Sequence, residues 1–521
     1  MDAVFDHVGG CGRFQVLFVI LSHLVIPATV WSMMHMVFGG LQPEWTCGSR
    51  DYEATTAMDR SAGHHSHENY SRPHLWNVTG MATPQGSSNS SHVCEDVGVQ
   101  CKQVMFAPGI NTVVSEFQLV CQLSWVPTMI ISVQMCGVLV GAAVSGQLGD
   151  SIGRKKCLLS MSVLQVTFNL VAAFSVSWEM FTVLRFMIGF TVGGLLASSF
   201  TYPTEFVDIR HRAALGAIPV WGIGSITFSL VVWLLRDWRH LHIATALFTA
   251  ISLPGWWFLP ESVRWLKTKG HAQQAERVLQ QVARWNRRSM PGKELLNTLD
   301  LPQEQAKKTY TYLHIFKPHL AKATLLGGFM WFACSLTYYG ISFGIRSLSG
   351  NFYLNLLLMS VAELPQYLLI FHVVNWVEVI VLAGSPVGVL LVLPDYNAQY
   401  SNGHPHLFAQ RRRLYVTRNI SQGYCNTTAR IGGILAPYIL SGDKTYIFYV
   451  VIGVVMVITT IAPLMLKETR GRPLADTFEV RVQAPEIQQG LRPLVKGPVL
   501  TRDSSVSTGC HDNSVNNIQV T

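Results

Sequence analysis

Long apolar runs recur along this chain, and they limit its fold more than any other feature. In the first half, six runs are long enough to cross a bilayer, at residues 15–38, 125–148, 157–176, 178–200, 213–235 and 240–259. A helix of about 20 apolar residues spans the hydrocarbon core of a membrane. Hydrophobic residues make up 49% of the chain and charged residues only 13%, which excludes an ordinary soluble enzyme. The sequence therefore predicts an all-α polytopic membrane protein, because the alternating pattern of barrel strands is absent.

A short glycine-rich loop separates two of these runs, and its residues 146–156 read G-Q-L-G-D-S-I-G-R-K-K. Its bases favour the cytoplasmic side of the membrane. An ordinary positive-inside loop would explain the bases, but not the spacing of Gly146, Gly153 and Asp150. The pattern resembles the loop between helices 2 and 3 of the major facilitator superfamily of transporters. That resemblance predicts a fold of two six-helix halves.

A long polar segment at residues 40–124 follows the first apolar run. It is rich in Ser, His, Asn and Gly and holds more acids than bases, which is typical of an extracellular loop. We therefore expect N-glycosylation at its three sequons, Asn69, Asn77 and Asn89. The histidines of this loop lack fixed partners, so we predict no metal site, and nothing in the chain indicates a cofactor.

Four cysteines in the same loop allow three disulfide pairings, and the sequence does not choose among them. They are Cys47, Cys94, Cys101 and Cys121.

The polar segments divide the chain into four parts. Residues 1–260 are predicted to form an N-terminal transmembrane half, and residues 261–322 a basic cytoplasmic connector. Residues 323–466 are predicted to form the second transmembrane half, and the polar tail at 467–521 is predicted to be disordered in the cytoplasm. The first apolar run is too long for a signal peptide and follows no basic segment, so we expect both termini in the cytoplasm.

Four further phrases resemble the family that transports organic cations, organic anions and carnitine, within the same superfamily. They are N-T-V-V-S-E-F-Q-L-V-C at 111–121, P-E-S-V-R-W-L at 260–266, R-I-G-G-I-L-A-P at 430–437 and K-E-T-R-G-R-P-L at 467–474. The phrase Y-L-N-L-L-L at 353–358, with Glu363 and Pro365, is most similar to the carnitine-transporting branch. The resemblance covers about residues 1–371 and 414–480.

Residues 372–413 depart from the family pattern. The family repeats the glycine-rich loop here and adds two helices, whereas this chain offers one marginal apolar run at 377–393, so the second half is predicted to be incomplete. If that run crosses the membrane once, the three arginines at 411–413 lie outside, against the positive-inside bias. If it is re-entrant, they stay inside, and we favour this reading.

Arg430 lies inside an apolar span, where an unpaired charge is costly and a functional role is the first hypothesis. The resemblance implies a carboxylated substrate, because anion and carnitine carriers of the family have Arg at this place. A guanidinium can hold a carboxylate with two hydrogen bonds. The alternative is a structural pair between Arg430 and the intramembrane acid Glu363.

Three aromatic residues within spans are candidates for binding the cationic group of a substrate, namely Trp221, Tyr338 and Tyr339. Aromatic faces attract quaternary ammonium groups. Packing alone also explains aromatic residues in spans. Glu363 could compensate a cationic group in the same site.

The glycine-rich loop resembles a gate. Asp150, Gly153 and Arg154 belong to it, and the resemblance implies that they work with Arg185, Glu205, Arg210 and Arg212. Arg418 is a candidate partner for Asp150. We expect a cytoplasmic latch that holds one conformation and opens as the two halves rock.

The sequence therefore predicts a plasma-membrane carrier of small organic ions, with carnitine or another carboxylated or zwitterionic solute as the favoured substrate. Coupling to Na+ or H+ stays open. The alternative is a transport-inactive relative or splice form that acts as a binding or receptor protein, because the second half departs from the family. No enzyme motif is present, and the net charge of +9 adjoins the spans rather than forming a nucleic-acid patch.

Overall fold

The computed structural model describes residues 2–47, 104–207, 218–290, 318–365, 411–440 and 445–461, with 215, 292 and 316 between them. Several predicted features lie outside the described residues: the sequons at Asn69, Asn77 and Asn89, Arg210 and Arg212, most of the atypical segment 372–413, and the tail 467–521. Arg418 lies within a described helix, but its side chain is outside the description.

The first half consists mainly of helices that follow the predicted runs. They are α1 (Asp2–His7), α2 (Arg13–His23), α3 (Ile26–Gly39), α4 (Val113–Glu116), α5 (Val126–Ile152), α6 (Arg154–Ala172), α7 (Trp178–Thr204), α8 (Val220–Leu235), α9 (Trp238–Ser252) and α10 (Gly255–Phe258). Four more helical segments belong to the connector and second half: α11 (Val263–Thr268), α12 (Ala272–Trp285), α13 (Pro318–Gly344) and α14 (Phe352–Ala362). The last two are α15 (Arg411–Leu440) and α16 (Thr445–Ile461).

Four helical stretches in the described residues are long and apolar enough to cross a membrane. They are Arg13–Gly39, Cys121–Ile152, Trp178–Thr204 and Trp238–Phe258. The helices at Val220–Leu235 and Phe352–Ala362 are apolar but shorter. Exposed Val, Leu, Ile and Phe side chains cover the outside of the bundle, as expected for a surface that meets lipid tails.

Local signals set several helix ends. Asp237 caps α9 because its carboxylate accepts hydrogen bonds from the backbone N–H groups of Arg239 and His240, at 2.7 and 3.2 Å. The Ser177 hydroxyl caps α7 in the same way. The first predicted span is divided at Leu24 and Val25, where α2 ends and α3 begins with Pro27 in its first turn.

One end of the bundle carries a small sheet, and we call it the hairpin end. Strands β1 (Trp45–Cys47) and β2 (Val104–Phe106) pair antiparallel within the predicted extracellular loop. The short helix α4 also lies at this end. Its Glu116 accepts hydrogen bonds from Trp238 Nε1, at 2.8 Å, and from the Arg239 guanidinium. These bonds attach the loop to the start of α9.

The opposite end, which we call the connector end, holds the glycine-rich loop and α12. Asn286, just after α12, accepts a hydrogen bond from the Phe14 backbone N–H at 3.0 Å. Its amide nitrogen donates to the carbonyl oxygens of Val8 and Gly9 and to Gln15 Oε1. One side chain thus fastens the connector to the beginning of the chain.

Helices α5 and α7 approach so closely that glycine is required at their crossing. A Cβ atom on Gly141 would overlap the carbonyl oxygen of Phe190, and one on Gly189 would overlap that of Gln134. Both obstacles are backbone atoms, so a side chain cannot move aside to make room. The crossing forms the centre of the first half.

The two halves touch at several points. Ser132 of α5 donates a hydrogen bond to the carbonyl oxygen of Ile434 in α15, at 3.0 Å. The hydroxyls of Ser229 in α8 and Ser360 in α14 lie 3.1 Å apart. At the hairpin end, Arg346 Nη1 donates to the carbonyl oxygen of Gly40, at 2.7 Å. This last contact joins the end of α3 to the turn that follows α13.

Candidate functional site

A chain of hydrogen bonds crosses between the halves through Trp221, Tyr338 and Glu363. Trp221 Nε1, in α8, donates to Tyr338 Oη at 2.6 Å. Tyr338 Oη, in α13, donates in turn to Glu363 Oε1 at 3.1 Å. Glu363 follows directly after α14 and is only 5% exposed. The structure therefore brings together three residues that the sequence nominated separately.

Tyr339 and Arg430 continue this arrangement on the other side of Tyr338. The rings of Tyr338 and Tyr339 meet edge to face, with centroids 5.3 Å apart. Arg430 Nη1, in α15, donates to Tyr339 Oη at 3.3 Å. The five candidate binding residues thus form one continuous cluster, which we call the central cluster.

Glu363 and Arg430 do not form the structural pair considered as an alternative. Each bonds a different tyrosine, and no salt bridge joins them among the described residues. Glu363 Oε2 and Arg430 Nε are buried and have no hydrogen-bond partner in the described part of the chain. A buried charge without a partner is costly, so both side chains retain capacity for a ligand.

A narrow cavity adjoins Glu363 and is lined by both halves. The first half contributes Met34 of α3 with Ser225 and Phe228 of α8, and the second half contributes Tyr338 and Leu356. The lining is mainly apolar with a few polar groups, as is typical of small-molecule sites. The cavity therefore lies at the boundary between the two halves.

The glycine-rich loop forms a separate cluster at the connector end. Arg154 donates from Nη1 to Asp150, and from Nε to Glu205 Oε1 at 3.3 Å. Gly153 has φ +112°, a conformation that side chains rarely adopt, and an added Cβ would overlap the carboxylate of Glu261. The structure therefore joins Asp150, Arg154 and Glu205, while their role as a gate stays a prediction.

Arg185 does not belong to that cluster, and its predicted place beside the glycine-rich loop is wrong. It lies 20 residues before Glu205 along α7, which is about 30 Å along a helix axis. Its Nη2 donates to the carbonyl oxygen of Ser32 at 3.2 Å and to Gln134 Oε1. The error came from grouping charges by sequence without converting the helix length into distance.

Sequence reasoning missed Glu261 as a member of the loop cluster. Its Oε1 accepts hydrogen bonds from the backbone N–H groups of Lys155, at 3.1 Å, and Ser262, at 3.0 Å. Glu261 thereby caps the start of α6. Its place in the phrase P-E-S-V-R-W-L, directly after a span, was the available signal.

Cys121 is disulfide-bonded, as expected for at least one pair in the polar loop. The pairing itself lies outside the described residues.

The profile of the sugar (and other) transporter family matches residues 52–382, more than half of the chain. The organic cation/carnitine transporter 2 of Rattus norvegicus is 28% identical over 410 residues, and the match covers 73% of each chain. The organic cation transporter protein of Drosophila melanogaster is 27% identical over 533 residues, with 92% of this chain and 94% of the relative covered.

The solved structures add evidence for the fold. A partially occluded inward-open structure of the xylose transporter XylE from E. coli matches with a TM-score of 0.53 and 13% identity. That match covers 88% of this chain and 100% of the xylose transporter. The fold is therefore that of a membrane transporter and not that of an enzyme. The chain belongs to the sugar (and other) transporter family, within the major facilitator superfamily.

Proposed function

We propose that this chain carries small organic ions across the plasma membrane by alternating access, and that its substrate is a zwitterion such as carnitine. Relatives named organic cation/carnitine transporter 2 support an organic-ion substrate. The central cluster supports the zwitterion, because it combines a buried acid and a partly buried base with three aromatic rings. The first half would be residues 1–260 and the second, which we expect to be incomplete at 372–413, residues 323–466, joined by the connector at 261–322.

The observation that carries this proposal is the separation of Glu363 from Arg430. Both are held by tyrosines instead of by each other, and each keeps a buried polar atom without a partner among the described residues. In the proposed complex, the substrate carboxylate pairs with the Arg430 guanidinium. Its quaternary ammonium group cannot donate hydrogen bonds, so it rests on the aromatic faces near Glu363.

The sidedness of the carrier follows from the disulfide and from the bases. We propose that the hairpin end, with Cys121 disulfide-bonded, faces the outside of the cell. The connector end, with the loop bases Arg154, Lys155 and Lys156, faces the cytoplasm together with both termini. In the described structure, the Arg346–Gly40 bond joins the halves on the outer side.

Uptake measurements test the proposal. Cells that express the chain are given labelled carnitine, a quaternary ammonium cation without a carboxylate, and an aromatic carboxylate without a cation. We expect carnitine uptake above that of cells with an empty vector, with the protein at the cell surface. The alternative is a transport-inactive binding protein, since residues 372–413 depart from the family pattern. Carnitine that binds to the purified protein but never enters cells would favour this alternative.

A further inference from the structure

A second polar cluster lies in the first half, away from the central cluster. It consists of His35 in α3, Arg185 in α7 and His242 in α9, and each of these side chains is 0% exposed. The two imidazole rings stack with centroids 3.8 Å apart and planes 27° apart. The ring of Phe181 lies against all three side chains, 5.9 Å from Arg185 Cζ and 5.8 Å from the His242 ring centroid.

Hydrogen bonds assign the neutral tautomer of both histidines. His35 Nε2 lies 3.1 Å from the carbonyl oxygen of Trp238, which can only accept, so Nε2 carries the hydrogen. His242 Nδ1 lies 3.0 Å from Oδ1 of Asn169. The amide nitrogen of Asn169 donates to the carbonyl oxygen of Gln165 at 2.9 Å, so the atom that faces His242 is the oxygen. His242 Nδ1 therefore also carries its hydrogen.

Each ring is left with a bare nitrogen. These atoms are His35 Nδ1 and His242 Nε2, both buried and without a hydrogen-bond partner in the described part of the chain. A bare imidazole nitrogen is a base, and imidazole is the side chain whose ordinary titration falls between pH 5 and 8. Histidines inside spans commonly mark proton pathways in transporters.

Among the described residues, Arg185 supplies the charge beside the His35–His242 pair. Arg185 interacts electrostatically with both imidazoles, and no salt bridge pairs it with a carboxylate among the described residues. The side chains that α5 and α6 contribute are the neutral Gln134, Gln165 and Asn169. Glu116 and Arg239 contact the Trp238 ring and pair with each other.

We propose that the stacked pair of His35 and His242 is the proton-binding site of this transporter and that H+ is its coupling ion. One bare nitrogen uses its lone pair to bind the proton, and the neutral ring becomes an imidazolium with a charge of +1. No other bond forms or breaks. The inference rests on the proposed function, because coupling requires a transported solute.

Arg185 opposes protonation of the histidine pair while the pair is shielded from water. In the described conformation the Arg346–Gly40 bond closes the outer side. The Arg185 guanidinium lies beside the imidazole rings of His35 and His242. A proton added here would bring two positive charges together in an apolar interior without a carboxylate. The proton is therefore released in this conformation. It binds when the outer side opens, because water that reaches the pair then stabilises the imidazolium.

Conformational labelling tests this site without any substrate. Val37, two residues before the end of α3, is 1% exposed, so a cysteine there is protected while the outer side is closed. We expect acid to favour the outward-open form and to speed labelling of Val37→Cys by a membrane-impermeant maleimide. One bound proton can change the rate by up to about tenfold per pH unit. The chain without Val37→Cys gives the background of the native cysteines.

Matched variants assign the response to the pair. His35→Gln and His242→Gln should remove the pH dependence of Val37→Cys labelling. The control is His240→Gln, because His240 lies two residues before His242 with its side chain 66% exposed. Labelling that ignores pH, or a pH response that survives in both His35→Gln and His242→Gln, would overturn the proton site.

Transport measurements separate this inference from the proposed function. Carnitine uptake that does not change when an inward proton gradient is imposed would overturn proton coupling and leave the carrier function intact. Absence of uptake, together with acid-driven labelling that needs His35 and His242, would overturn the carrier function and support the proton site.

Discussion

Arg346 joins the two halves at the hairpin end by donating a hydrogen bond to the carbonyl oxygen of Gly40, with 2.7 Å between Nη1 and O. Gly40 ends α3, so the guanidinium meets the negative end of a helix dipole. Its Nε also donates to the Phe343 carbonyl oxygen at 3.1 Å, which holds the side chain in place. Burial lowers the pKa of Arg346 to about 10, which still leaves it charged at neutral pH.

Arg346→Gln should favour separation of the two halves at the hairpin end. A hydrogen bond from a charged donor contributes about 1.5–3 kcal/mol, so its loss shifts the equilibrium by about tenfold or more. Faster maleimide labelling of Val37→Cys in the variant would report this shift. Glu44→Gln is the control, because Glu44 belongs to the first half and is exposed at the same end. Equal labelling rates in the two variants would contradict a role of the Arg346–Gly40 bond in holding the halves together.

Gly141→Ala should destabilise the first half. The new methyl group overlaps the Phe190 carbonyl oxygen, and the helices must separate to admit it. Overpacking of this kind costs about 1–3 kcal/mol, which thermal unfolding of the purified protein should detect as a lower Tm. Gly146→Ala, five residues along the same helix, has no heavy atom within 4 Å of the added Cβ. Its Tm should stay at the wild-type value; an equal drop would refute the close crossing.

Asp150→Asn should slow turnover with little effect on substrate binding or stability. The Asp150 side chain is 72% exposed, and such surface ion pairs contribute at most about 1 kcal/mol to folding. If the Asp150–Arg154–Glu205 cluster is a gate, its loss changes the rate of conformational exchange instead. Uptake kinetics should therefore give a lower maximal rate at an unchanged KM. Normal turnover in Asp150→Asn would show that the Asp150–Arg154–Glu205 cluster is not a gate.

Stability should fall in acid through Glu116. Burial raises the pKa of this carboxyl, but hydrogen bonds from Arg239, Trp238 and Asn111 outweigh burial and lower it below its usual value. The stabilisation is present above the ordinary pKa of about 4.3 and is lost as pH falls through the lowered folded value. Tm measured from pH 6 to 3 should drop less in Glu116→Gln than in the wild type. The exposed Glu44 provides the control, and Glu44→Gln should follow the wild-type curve.

The positions of helices could be predicted from the sequence better than the distances between their side chains. Asp150 and Arg154 of the glycine-rich loop are only four positions apart, so their contact is local even though the chain turns at Gly153 between their helices. Arg185 was misplaced because its position depends on length along α7. His35 and His242 are 207 positions apart and lie in different helices, so no local sequence pattern predicts that their rings stack.

The members of the central cluster could be predicted from the sequence, but their arrangement could not. Each of its residues was nominated because a polar or aromatic side chain in an apolar span calls for an explanation. Their order could not be predicted, since it depends on how α8, α13, α14 and α15 cross. Only the structure reveals that Tyr338 and Tyr339 keep Glu363 apart from Arg430.

The central claim is that Arg430 binds the carboxylate of a zwitterionic substrate. Its most direct test compares uptake of labelled carnitine with uptake of a quaternary ammonium cation that lacks a carboxylate, in wild type and in Arg430→Gln at equal surface expression. We predict a loss of carnitine uptake of about tenfold to a hundredfold, the equivalent of one charge-assisted hydrogen bond, while cation uptake is retained. Unchanged carnitine uptake in Arg430→Gln would contradict the account.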